Sequence, residues 1–301
     1  MATTEENDRT GSAAEPTQPT HDAEDFDRPD APEPGRRSVR RMGRVSPADE
    51  GLSYGSYLKV PELIALQHLL SVPPAHDELL FIVVHQTYEL WFRQLLYELE
   101  SVRDLMFGRQ PEPARRLLQR VHTIENVLVE QIAVLETMSP QDFLQFRSHL
   151  SPASGFQSVQ FREVEFLSGL KHRSFLSHLG ETTDERERLE RRLEEPTLWD
   201  AFCFLLTANG LQMPADDADA RMASLLEMAR HRERHGELWY LSEDLLTHDE
   251  LFSLWRYRHI LMVVRQIGSK TGTGGSSGAT YLQTTLDKRF FPELWAIRGE
   301  L

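Results

Sequence analysis

From Pro61 onward, apolar residues recur three and four positions apart almost without interruption, the spacing that gathers them on one side of an α-helix. Strand-like alternation between turn signals is scarce. The pattern predicts helices over 61–71, 76–107, 112–137, 140–149, 158–171, 193–207, 217–245, 248–267 and 278–289, so the fold class is all-α. Ser139, followed by Pro140 and Asp142, reads as a helix N-cap with proline at the first position and an acid in the first turn. Thr247 before His248, Asp249 and Glu250 reads as a second start of the same kind. Two stretches cannot continue a helix: SPASGFQS at 151–158 and GSKTGTGGSSG at 268–278. The echo of HDELL at 76 in HDELF at 248 is too short to signal a repeat.

Ahead of this helical body the pattern disappears. Residues 1–34 are rich in Asp, Glu, Pro, Thr and Ala and nearly lack large apolar side chains, too few to offset the entropy of ordering. A basic run, RRSVRRMGR, follows at 36–44. The expected division is a disordered tail over 1–50 and one helical domain over 51–301, long enough for a single core. A net charge of -14 argues against general affinity for nucleic acid or anionic membranes. No stretch approaches the roughly 20 apolar residues that span a bilayer. The arginine pairs at 36–37 and 40–41 have no apolar segment after them that would make an export signal, so the default expectation is cytoplasmic. The single cysteine, Cys203 in AFCFLL, allows no intrachain disulfide and reads as core packing.

Two histidines lie well inside long apolar helices. Phe81, His85, Tyr88 or Glu89, and Phe92 share one helical face; Trp255, His259 and Met262 or Val263 share another. Taken alone, such a histidine is ordinarily a satisfied core residue. If either binds metal, one imidazole on an apolar wall suits heme iron better than zinc, which wants three or four polar ligands. A rival pair, His231 and His235 in HRERH, has the i, i+4 spacing of a metal grip. Its neighbours Arg230, Arg232 and Arg234 repel a cation, and the expectation there is a solvated helix face. Arg147, one turn after Phe143, reads from spacing alone as exposed. The 268–278 loop lacks the order of a phosphate-binding loop, leaving a flexible linker or a lid as the two readings.

Four stretches together resemble the tryptophan 2,3-dioxygenase family: YGSYLKVPELIALQ at 54–67, HDELLFIVVHQTYELWFRQLLYELESV at 76–102, DFLQFRSHLSPASGFQSVQFREVEFLSG at 142–169 and WRYRHILMVVRQIGSKTGTGGSSGATYLQTTLDKRFFPELW at 255–295. The resemblance spans about residues 51–298, is weakest between 172 and 247, and leaves out the tail. It implies a helical heme-binding domain with one heme b per subunit and His259 as the axial ligand of its iron. It implies that His85 hydrogen-bonds the indole N–H, orienting the substrate and helping its polarisation without serving as an obligatory base. Phe81 and Phe143 would pack on the indole ring, Arg147 would clamp the carboxylate, and Thr273 would contact the amino acid head group. Ser154 and Gly155 would line the pocket. Tyr54 and Leu58 would reach a neighbouring subunit of a homotetramer.

The activity implied is insertion of both atoms of O2 into L-tryptophan, cleaving the indole C2–C3 bond to give N-formyl-L-kynurenine, the first step of the kynurenine route. A heme oxygenase acting on another indole is the alternative, because an apolar pocket discriminates weakly between similar rings. The loop at 268–278 is expected to be mobile without substrate and to order on binding. Hydrogen exchange across this loop, measured with and without L-tryptophan, should therefore slow on binding; equal protection in both states would remove the lid reading.

Overall fold

The computed structural model describes residues 52–179, 183–274 and 278–301, so the tail expected over 1–50 lies outside the described residues. The chain divides into two compact units, 1–57 and 58–301. Of the first, only 52–57 are described; they lead into helix α1 (Tyr54–Leu58), where Tyr54 is 79 % and Leu58 45 % exposed. The second unit contains α2 (Val60–Leu63), α3 (His76–Phe107), α4 (Pro111–Leu135), α5 (Pro140–Phe146), α6 (Val159–Ser168) and α7 (Asp184–Glu194). It continues with α8 (Leu198–Ala208), α9 (Ala218–Arg230), α10 (Arg232–Ile267), α11 (Ala279–Gln283) and α12 (Pro292–Ala296). No strand occurs among the described residues, in agreement with the all-α expectation. None of the described helices is long and apolar enough to cross a membrane.

Three long helices carry the fold. Between α3 and α4, Arg120 pairs with Glu98, the Tyr88 hydroxyl donates to the Leu128 carbonyl and the Gln131 amide donates to the Val84 carbonyl. Residue numbers fall on α3 as they rise on α4, so these helices run antiparallel. Between α4 and α10, the His122 ring donates to the Asp244 carbonyl, Glu125 meets His248 at 2.6 Å and Glu136 meets Arg258 at 3.3 Å. Here the numbers rise together, so α4 and α10 run parallel. Leu95, Leu96, Leu99 and Met106 of α3, Leu118 and Ile132 of α4, Leu241, Leu245 and Phe252 of α10, and Phe202 and Leu205 of α8 fill the shared core, all nearly inaccessible. Burying each such side chain contributes about 1.5–3 kcal/mol.

Several predicted boundaries are corrected, each for a physical reason. The helix expected over 61–71 stops at Leu63, and at its far end the Glu78 carboxylate takes the backbone N–H groups of Leu70 at 2.7 Å and Ser71 at 3.1 Å out of any helical ladder. The start expected at Thr247 does not exist: α10 runs straight through, and the Thr247 hydroxyl donates to the Glu243 carbonyl one turn back. The helix predicted over 217–245 is instead interrupted at His231, between α9 and α10. Helix α7, with Leu189 its one buried apolar residue, was too charged for periodicity to find, and the segment expected over 193–207 starts only at Leu198, behind a Thr197–Asp200 capping box. The run expected over 278–289 ends at Gln283, and that over 140–149 tightens into a 3-10 turn at Arg147–Leu150. Ser139 does cap α5, its side chain accepting the Asp142 N–H at 3.2 Å.

Asp249, fully buried on α10, fastens the C-terminal segment. One of its oxygens accepts the N–H groups of Phe290 at 2.9 Å, Phe291 at 3.1 Å and the Trp295 indole at 2.9 Å. Asp249→Ala leaves three donors without a partner and is expected to lower stability by about 3–5 kcal/mol, read as a shifted denaturation midpoint.

Candidate functional site

The fold contains a cavity of about 280 Å3, lined mainly by apolar and aromatic side chains from α3, α5, α6 and α10, with residues of the 151–158 loop and with Gly272, Thr273 and Gly278. Helix α3 contributes Phe81, His85 and Glu89, spaced by four and so stacked one turn above the next. Helix α10 contributes Trp255, His259, Met262 and Val263. Phe143 and Arg147 enter from α5 and the turn behind it, Ser154 and Gly155 from the first loop and Thr273 from the second. Residues separated by as many as 204 positions, Phe81 and Thr285, thus share one space. Leu58 is not among the lining residues.

Both imidazoles open onto the cavity, and the protein packed around them shifts them. Burial, reinforced by the neighbouring His85, pushes His259 down to about 4. Burial also lowers His85, opposed by the Phe81 carbonyl and by the Glu89 charge. Both rings are therefore neutral at pH 7. The His85 Nδ1 lies 2.7 Å from the Phe81 carbonyl oxygen. A carbonyl only accepts, so Nδ1 carries the proton and Nε2 keeps a lone pair. His259 has no hydrogen-bond partner among the described residues, and its ring lies parallel to Trp255, 5.1 Å between centroids and 4° between planes. A neutral imidazole with uncommitted nitrogens is the form that binds a metal.

The aromatic side of the cavity is ordered by contact. Phe81 stacks on Phe143 at 5.7 Å and meets Phe146 edge-on at 5.6 Å. Arg147 reads differently in three dimensions than in sequence: it turns into the cavity, donates to the Thr271 carbonyl and has no acidic partner among the described residues. The Thr273 hydroxyl donates to the Ala153 carbonyl at 2.6 Å, tying the two loops together. Glycine is required where they touch: a Cβ on Gly274 would lie 2.6 Å from Ser154 Cβ. Gly278, at φ 60°, would bring a Cβ equally close to the Lys270 carbonyl.

Four charged cavity residues, Glu89, Arg162, Glu165 and Arg256, were not singled out as site residues from sequence. Arg162 and Arg256 both bind the one carboxylate of Glu165, at 2.6 and 2.8 Å, leaving one net positive charge buried and each Nε without a partner. Glu89 accepts from Ser158 and Gln160. The available signal was charge on apolar helix faces, such as Arg162 and Glu165 in QFREVEF, which burial alone makes informative. The rival HRERH pair does not converge: His231 ends α9 beside Glu227 and Glu233, while His235 adopts φ -118° and ψ 20°. The expected solvated face holds for His231 but not for His235, which is buried. No group of three or more metal-ligating side chains occurs among the described residues. Cys203 is only half-buried, and burial pushes its thiol up to about 12, leaving it unreactive.

A family-wide profile described as tryptophan 2,3-dioxygenase matches residues 41–214 and 206–301. A tryptophan 2,3-dioxygenase of a Nocardioides species is 56 % identical over 265 residues, covering 85 % of this chain and 98 % of that protein. One from Herpetosiphon aurantiacus is 46 % identical over 263 residues, covering 84 % and 99 %. One from Serratia proteamaculans is 40 % identical over 268 residues, covering 85 % and 96 %. Matches of this identity, spanning nearly the whole of each relative, place the chain in the tryptophan 2,3-dioxygenase family.

Proposed function

We propose that this protein is a heme-dependent dioxygenase that converts L-tryptophan and O2 into N-formyl-L-kynurenine by cleaving the indole C2–C3 bond. The observation that carries the reading is the pairing, in one apolar cavity, of an uncommitted neutral imidazole, His259, with a second neutral imidazole, His85, and an acid-free guanidinium, Arg147. Membership of the family supports it. The donor set fits heme: one free imidazole is enough for heme iron and too little for a protein-bound zinc. The excess positive charge of Arg162 and Arg256 over Glu165 suits the carboxylates of heme b, at one per subunit. When bound, the heme supplies oxygen activation and insertion.

The chain's own residues do the rest. His259 would hold the heme iron through its uncommitted imidazole. His85 presents its Nε2 lone pair as acceptor for the indole N–H, because its Nδ1 proton is committed to Phe81. That bond orients the ring and draws electron density toward C3 as the N–H polarises. Phe81 and Phe143, stacked on each other, present an aromatic wall for the indole ring to pack on. Arg147 offers its remaining N–H donors to the substrate carboxylate, a strong charge-assisted pair in a poorly hydrated space. Thr273, whose proton goes to Ala153, keeps an oxygen lone pair for the substrate ammonium. Ser154 and Gly155 complete the wall. Tyr54 and Leu58 serve a neighbouring subunit of a homotetramer. The exposed apolar side chains of Ile64, Leu66, Leu70 and Val72 on the same stretch support burial between subunits.

The test is a visible spectrum of the dithionite-reduced protein followed by an aerobic assay with L-tryptophan. A ferrous-heme spectrum with N-formylkynurenine formation is expected; heme without product redirects the reading to another indole, and absence of heme after heme-replete expression removes it. Arg147→Leu is expected to raise the KM for L-tryptophan about 10- to 100-fold, the loss of one charge-assisted hydrogen-bond pair worth roughly 1.5–3 kcal/mol. His259→Ala is expected to abolish the Soret band while leaving the far-ultraviolet helical signal intact.

A further inference from the structure

One acidic side chain of the cavity has no part in the roles above. Glu89 lies one helical turn beyond His85 and lines the same space. No cation lies within ion-pairing distance of it among the described residues. Its carboxylate instead accepts the Ser158 hydroxyl at 2.6 Å and the Gln160 amide at 2.8 Å, and the same amide donates to the Glu89 carbonyl at 2.9 Å. Ser158 is used twice, since its oxygen also accepts the Phe161 N–H as the N-cap of α6. The end of the Ser154–Ser158 wall and the first turn of α6 therefore hang on a single carboxylate of α3.

Adhesion alone does not require this arrangement. Phe92 of α3 already packs on Phe161 of α6 at 5.7 Å, so apolar contact alone joins the two helices here. What directed hydrogen bonds add is register, which aromatic contact fixes poorly. The indole must touch His85 on one side and the Ser154–Phe156 wall on another, and a shift of about 1 Å between them is enough to lose orientation. We propose that Glu89 is a positioning residue for the oxygenation, holding the Ser154–Ser158 wall at a fixed distance from His85 through Ser158 and Gln160. Its negative charge also faces the imidazole, opposing the effect of burial there.

The role rests on the dioxygenase reading, and the experiment separates the two. Glu89→Ala, Glu89→Gln, Gln160→Ala and the Glu89→Ala/Gln160→Ala double variant are assayed as holoenzymes, with kcat expressed per bound heme. Glu89→Ala is expected to lower kcat about tenfold or more while KM changes less than threefold, because Arg147 is intact. Glu89→Gln, whose amide oxygen still accepts from Ser158, should recover at least a third of wild-type kcat. The double variant should be no slower than Glu89→Ala, as expected for side chains acting through one another. The C–O stretch of the reduced, CO-bound protein with L-tryptophan gives a readout independent of turnover, and the wild-type band should broaden or split in Glu89→Ala. A merely structural role would lower heme content or thermal midpoint but leave kcat per heme and the band unchanged, and that result overturns the proposal. Wild-type protein that binds heme but forms no product overturns the dioxygenase reading itself, and the role with it.

Discussion

The register of α10 against α4 is the constraint on which the site depends. It is set by buried polar contacts that apolar packing cannot imitate: the Asp244 carboxylate takes Arg115 at 2.7 Å and Gln119 at 2.9 Å, and Glu125 takes the His248 Nδ1 proton at 2.6 Å. His248 Nε2 then meets the Ser168 hydroxyl at 2.9 Å, bringing the end of α6 into the same chain of hydrogen bonds. Leucines of two packed helices tolerate sliding; a buried carboxylate does not, since losing one partner of such a pair costs about 3–5 kcal/mol. His259 lies eleven residues beyond His248, three helical turns along the same face. Fixing His248 therefore fixes where the candidate ligand meets the cavity.

The opposite wall inherits its position from the same helix. Because α4 packs antiparallel on α3 through Tyr88, Gln131 and Arg120, locking α4 to α10 also sets His85 relative to His259. Two imidazoles thus line one cavity, where burial lowers both and His85 further lowers His259. Neutrality is useful to both: one nitrogen lone pair remains for a metal and another for an N–H donor. Positive charge is retained only where carboxylates are expected, at Arg147 and at the Arg162–Glu165–Arg256 cluster.

Local signals were legible in proportion to how local their causes are. The limits of α3 followed from periodicity, and the start of α5 from the Ser139 side chain, because both depend on neighbours within one turn. The Thr247 start failed although its residues were equally suggestive: His248 and Asp249 are committed to Glu125, Phe290 and Phe291, and those distant partners favour an uninterrupted helix. Glu78, from another element, likewise takes the Leu70 and Ser71 N–H groups that the helix expected over 61–71 would have used. Arg147, exposed by spacing, is drawn inward because the 268–278 loop returns to supply the Thr271 carbonyl.

The sequence by itself determined the helical class, the faces carrying His85 and His259, and, through long motif stretches, the family with its expected ligands. It could do so because a 3.6-residue period and a family motif are both written in consecutive positions. Only the tertiary structure decided that these faces meet in one cavity with Arg147 and Thr273. It alone revealed that Arg162 and Arg256 share one carboxylate, and that Glu89 accepts hydrogen bonds from Ser158 and Gln160. Those facts depend on burial and on hydrogen bonds between residues far apart in the chain, whose free energy exists only once the helices have packed.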